Sequence, residues 1–244
     1  MWYEFTGTGA NPLHPNYELH AYAGFDIIGD ELHILLMNTA ESPALVPSDI
    51  LTGMVFSWTP GPALTPVSAR LYDDPMDLRD AQVIHGPDGG GNVGGEWAYA
   101  VLETPYNGGR LGVSSSGWID AFGQPNFGGT DLSGPTSTDG LQYGIAPWSQ
   151  DRGTVPDGNS HVTDEPLIRN GVEFTFLFAP GMFSLDDISN VGFQYGTDVG
   201  EPFFPGTHTD NPPPPPVPEP LTMVMLGCMG AGMLAARRLR RNSS

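Results

Sequence analysis

The sequence predicts an all-β fold, a two-sheet β-sandwich of jelly-roll-like form, followed by one C-terminal transmembrane helix. Three observations carry the prediction. The chain holds 33 Gly and 25 Pro in 244 residues, a turn-rich composition that disfavours long helices. Short runs of apolar residues alternate with polar ones and are separated by Gly, Pro, Asn and Asp clusters, the pattern of many strands joined by tight turns. Near the C-terminus an uncharged apolar segment ends abruptly on a cluster of Arg.

The strands are expected over residues 19–28, 31–37, 54–58, 67–72, 97–102, 117–122, 141–145, 172–178 and 191–195. The clearest is 172–178, where Val172, Phe174, Phe176 and Phe178 fall on one face and Glu173 and Thr175 on the other. Clusters such as Gly86-Pro87-Asp88-Gly89 and Thr154-Val155-Pro156-Asp157-Gly158 punctuate them. Residues 1–206 read as one β-rich domain, 207–216 as a Pro-rich linker and 217–241 as a separate tail with an apolar run and a basic end. The linker's five prolines, 212–216, favour polyproline II, a semi-rigid spacer.

Charge narrows the partners. All 9 basic residues are Arg and 28 residues are acidic. Because four of the Arg lie beyond residue 236 and no carboxylate follows Glu219, the chain before that point carries a formal charge of −23. So negative a surface repels nucleic acid and anionic headgroups. The single cysteine, Cys228, lies in the apolar tail, so the domain before it forms no disulfide; a domain of this size does not need one for export.

Residues 221–236 carry no charge, and their only polar side chains are Thr222 and Cys228. A helix of that length spans roughly 24 Å, somewhat less than the ~30 Å hydrocarbon core. Snorkelling of Arg237 and Arg238 makes up part of the difference. By the positive-inside rule, Arg237, Arg238, Arg240 and Arg241 stay cytoplasmic, which places residues 1–220 outside. Such a topology needs an export signal, and Met1-Trp2-Tyr3-Glu4-Phe5-Thr6-Gly7 has neither the basic start nor the apolar run of one. The natural chain is therefore expected to begin upstream.

The order Val217-Pro218-Glu219-Pro220, then a short apolar helix, then a terminal Arg cluster, resembles the PEP-CTERM sorting signal of exosortase substrates, bacterial proteins linked to exopolysaccharide and biofilm matrix. The resemblance implies that a membrane protease with a catalytic Cys, the exosortase, recognises Pro218-Glu219-Pro220 and cuts near it. Prolines on both sides of Glu219 keep that segment extended and outside the following helix, a form that a protease requires. The body also resembles the β-rich domain of some exosortase-dependent surface proteins, through residues 32–40 (LHILLMNTA), 49–56 (DILTGMVF) and 188–197 (ISNVGFQYGT). That family brings no enzymatic activity with it.

Other motifs point away from catalysis. Gly89-Gly90-Gly91-Asn92-Val93-Gly94 matches a dinucleotide string, but a strand is expected after it where a helix is needed, so it reads as a flexible loop. Gly112-Val113-Ser114-Ser115-Ser116-Gly117 misses the nucleophile elbow by one residue and reads as a turn with exposed hydroxyls. His14, His20, His33, His85, His161 and His208 are scattered singly, without metal-ligand spacing. The acidic run Asp73-Asp74-Pro75-Met76-Asp77-Leu78-Arg79-Asp80 reads as a solvated loop, with a structural Ca²⁺ as the alternative. Trp58, Trp97, Trp118 and Trp148 read as core, with sugar stacking as the alternative for any on an exposed face.

The expected function is that of an exported, non-enzymatic surface or matrix protein without a cofactor. It would be held briefly at the inner membrane and then passed to the cell surface, where exopolysaccharide is a further expected partner. A carbohydrate-binding module of the matrix is the alternative, and a secreted hydrolase comes third.

Overall fold

A computed structural model of the chain describes residues 2–73, 80–134, 137–138, 140–150, 160–181 and 183–209. Most of the acidic run (74–79) lies outside these residues, as does all of 210–244 with the proline run, the sorting motif, the expected span and the Arg cluster. Among the described residues no helix is long and apolar enough to cross a membrane.

The fold is all-β and built from two sheets. The strands are β1 (Tyr3–Ala10), β2 (Glu18–Ile28), β3 (Glu31–Asn38), β4 (Leu51–Trp58), β5 (Leu64–Leu71), β6 (Gln82–Ile84), β7 (Ala98–Tyr106), β8 (Gly109–Ser114), β9 (Ile145–Ala146), β10 (Leu167–Arg169), β11 (Gly171–Phe178), β12 (Ile188–Tyr195), β13 (Phe203–Pro205) and β14 (Thr207–His208). The first sheet runs β14-β1-β2-β3-β11-β5. The second runs β13-β12-β4, and the far edge of β4 is shared by β8, which leads to β7, and by β9, which leads to β10 and β6. Among the described strands β9 and β10 pair in parallel, and the other strand pairs are antiparallel.

Period-two patterning makes the core. In β11, Val172, Phe174, Phe176 and Phe178 are buried while Glu173 and Thr175 are half-buried on the opposite face. Phe25 of β2 meets Phe56 of β4 at 5.4 Å between ring centroids. Phe176 of β11 meets Tyr99 of β7 at 5.0 Å, edge to face. These contacts join the two sheets in one hydrophobic core, and each such side chain contributes about 1.5–3 kcal/mol by leaving water.

Several expectations are corrected. Residues 117–122 are not a strand: Gly117 sits at φ 61° and the N–H of Phe122 returns to Ile119 O at 3.0 Å. Residues 141–144 turn likewise, with Tyr143 at φ 55° and the N–H of Gly144 donating to Leu141 O at 3.0 Å. Thr207 and His208, expected in the linker, form β14 against β1. The glycine-rich string is two 3-10 turns rather than a flexible loop, and a Cβ on Gly94 or Gly95 would strike the backbone of Gly128 or Thr130. Ser114, Ser115 and Ser116 are buried, not exposed.

Candidate functional site

The sorting residues Val217, Pro218, Glu219 and Pro220 and the anchor Arg237, Arg238, Arg240 and Arg241 lie outside the described residues, so a candidate site on the body rests on other side chains. Three of the four tryptophans singled out from sequence are core. Trp58 donates through Nε1 to Ser184 O at 2.9 Å, Trp97 is fully buried edge-on to Phe174 at 5.0 Å, and Trp118 packs between Tyr106 and Phe122. Trp148 is half-buried, with the Arg169 guanidinium 4.2 Å from its ring centroid.

The two sheets differ in what covers their outward faces. On the second sheet Val55, Ala98, Ala100 and Leu102 are buried under Trp118 and Phe122. On the first sheet polar and aromatic groups remain in reach of solvent. Register places Glu4, Gly24, Leu35, Glu173 and Arg70 side by side across β1, β2, β3, β11 and β5, a row of about 19 Å at the usual strand spacing. The adjoining row holds Asp26, His33, Thr175 and Ser68.

At the centre of this face Gly24 is fitted beneath two rings. A Cβ there would lie 2.8 Å from the Tyr22 hydroxyl and 3.0 Å from Trp2 Cε3, so the missing side chain lets Trp2 and Tyr22 settle onto the sheet. Both remain half-buried. Burial, and then the Glu4 carboxylate that accepts the Tyr22 hydroxyl hydrogen, push the phenol upward, so it stays a protonated donor near neutral pH. Beside them, His33 Nδ1 lies 2.9 Å from Glu173 Oε1 and Nε2 lies 3.2 Å from Glu31 Oε2. The arrangement offers ring faces together with carboxylate acceptors on a flat surface. Sequence reading passed over Trp2 and Tyr22; the available signal was their place on the polar side of alternating segments.

Two other regions suit function less well. A groove of about 770 Å³ runs between β7 and residues 119–121, where Val101 is 65% exposed. Its strand edge is guarded, however. Asn126 accepts from Tyr99 N at 2.8 Å and donates to Tyr99 O at 2.7 Å, and an irregularity follows between Val101 and Tyr106. With Glu103 and Pro105 in the same stretch, these are devices that prevent strand addition. The second region is a buried network: Asp49 accepts from Asn11 Nδ2 at 2.6 Å and from Leu45 N at 3.0 Å, and lies 2.8 Å from His14 Nδ1. Its groups are committed to one another and tie the 11–17 and 42–49 loops together. The Ser114 hydroxyl is similarly engaged, donating to Thr52 O at 3.2 Å and accepting from Ser116 N at 3.1 Å.

Among the described residues no group of three or more His, Cys, Asp or Glu side chains is placed to hold a metal ion. No known family model, curated protein or solved structure matches the chain significantly.

Proposed function

We propose that the chain is an exported surface or extracellular-matrix protein with a structural or interaction role, sorted by an exosortase through residues 217–241. The observation that carries this reading is the order of three parts in the tail: Pro218-Glu219-Pro220, the uncharged residues 221–236, and Arg237, Arg238, Arg240 and Arg241. A proline-bounded carboxylate ahead of a short apolar segment with a basic end suits both recognition at a membrane face and outward orientation of what precedes it.

The body supports the same reading. It is acidic and free of Lys, and its expanse of polar sheet suits presentation more than catalysis. Its two sheets are read as a sandwich of jelly-roll-like form, in that β3, β4 and β5, and again β11 and β12, alternate between sheets. Presentation at the surface, with exopolysaccharide as the matrix partner, follows from the sorting step.

Mass spectrometry of the C-terminus tests the proposal, using protein exported in a host that carries the sorting protease. A C-terminus near Pro220 that shifts to Ser244 when Glu219 is replaced by Gln is the expected result. Surface material that retains Ser244 in the unaltered protein would overturn it.

A further inference from the structure

We infer that the outward face of the first sheet binds a neutral polysaccharide, with Trp2 and Tyr22 as the stacking pair and Glu4, Asp26, Glu31 and Glu173 as hydroxyl acceptors. The inference rests on the surface-protein reading for the polymer's natural source, but the binding itself is a property of the folded body.

The chemistry follows from what a sugar ring presents. One face of a pyranose is a set of C–H groups and its rim is a belt of hydroxyls, so a complementary surface needs an aromatic plane next to hydrogen-bond acceptors, whose second oxygen or lone pair can serve the sugar when the first is engaged. An ionised carboxylate is an acceptor and never a donor, and Glu4 and Asp26 flank Gly24, the position on which both rings rest. Glu31 and Glu173 extend the acceptors along the next two strands, held by His33 at 3.2 and 2.9 Å.

Shape and charge select the class of ligand. Among the described residues the face is an open sheet surface, and so suits a chain of residues lying across strands more than a small molecule. With a formal charge of −23 before residue 237 and Arg70 as the basic group in the central row, it repels uronate- or sulfate-bearing polymers and phosphate. The second sheet cannot serve in this way, since Trp118 and Phe122 already occupy the apolar surface there.

The test uses the full chain in a polyoxyethylene detergent, which carries no sugar headgroup, run in native gels containing glucomannan, galactomannan or mixed-linkage β-glucan. Alginate serves as the acidic counterpart. Retardation by at least one neutral polymer is expected, weakened about tenfold or more by Trp2→Ala, as for loss of an anchoring aromatic, and weakened in part by Tyr22→Phe, which keeps the ring. Trp148→Ala should leave retardation unchanged. Absence of retardation in every neutral gel, equal retardation of a normally folded Trp2→Ala/Tyr22→Ala variant, preference for alginate, or self-association lost with those two rings would each overturn the inference. The uncleaved chain is used, so failure of sorting at Glu219 leaves this result interpretable, and the reverse holds.

Discussion

The outward faces of the two sheets use the same local device to opposite ends. Gly24 lies beneath Trp2 on the first sheet, and Gly53 lies beneath Trp118 on the second. Trp118 is 5% exposed, and its Nε1 is buried without a hydrogen-bond partner among the described residues, whereas Trp2 stays partly exposed on a face that carries carboxylates. A glycine under an indole is therefore not in itself a sign of a binding surface or of a core. What decides is the surrounding row: Val55, Ala98, Ala100 and Leu102 make the second face worth covering, while Glu4, Asp26 and Glu173 keep the first face wet.

Removing the cover should have the largest effect. Trp118→Ala is expected to destabilise the body by about 3 kcal/mol, at the low end for Trp→Ala because its buried Nε1 has no partner among the described residues; urea denaturation measures it, and dye binding to the uncovered apolar face should rise. Gly53→Ala comes next. Its Cβ would lie 2.8 Å from Val113 O and 2.5 Å from Trp118 Nε1, a backbone clash expected to cost about 1–3 kcal/mol. For Gly24→Ala the nearest atoms belong to the partly exposed side chains of Tyr22 and Trp2 and not to backbone, so the loss should stay below about 1 kcal/mol. A cost at Gly24 equal to that at Gly53 would show that the first face is as rigidly packed as the second and erase the contrast.

A fourth, smaller effect concerns the loop that covers the β5 edge of the first sheet. Glu96 is nearly buried, and its carboxylate accepts from Leu132 N and from Ser133 N, each at 3.0 Å or less. Burial, assisted by the neighbouring Asp131, raises its pKa above the ordinary value even though those two N–H groups oppose the rise. The folded state thus holds this proton more tightly than the unfolded chain does. Its contribution is present in full below the ordinary carboxylate pKa and is lost as pH rises through the raised folded value. Glu96→Gln should flatten that part of the stability–pH curve, which thermal melts across the acidic range would record; an unchanged slope would remove Glu96 as its source.

Much of the first sheet was legible in the sequence because its strands are long and alternate cleanly, as in β2 and β11. Two segments misled for a common reason. Residues 117–122 and 141–145 have strand-like composition, yet Trp118 and Phe122 bring apolar groups to the sheet from a turn, and period-two patterning does not separate a strand from a loop that lies on one. The opposite error occurred at β1, where inward Gly7 and Gly9 replace the expected apolar residues. They are small because Phe193 and Phe204 fill that space, each with ring atoms under 3 Å from the Cβ that a larger residue would add. The Trp2 and Tyr22 pair was missed because only the fold brings β1 beside β2 in the register that seats both rings on Gly24.

The β14 ladder also determines how the body would respond to a pull. Beyond β13 the chain is held by two residues of β14 paired with Phe5 and Thr6, and by the N–H of Thr209 donating to Glu4 O at 3.0 Å. Tension applied beyond Thr209 is therefore borne first by a short strip at the sheet margin, which can peel away bond by bond while β12, paired with β4 over most of its length, stays seated. A body pulled from Thr209 would yield a few residues of slack before its core was loaded, a built-in compliance at the margin of the first sheet.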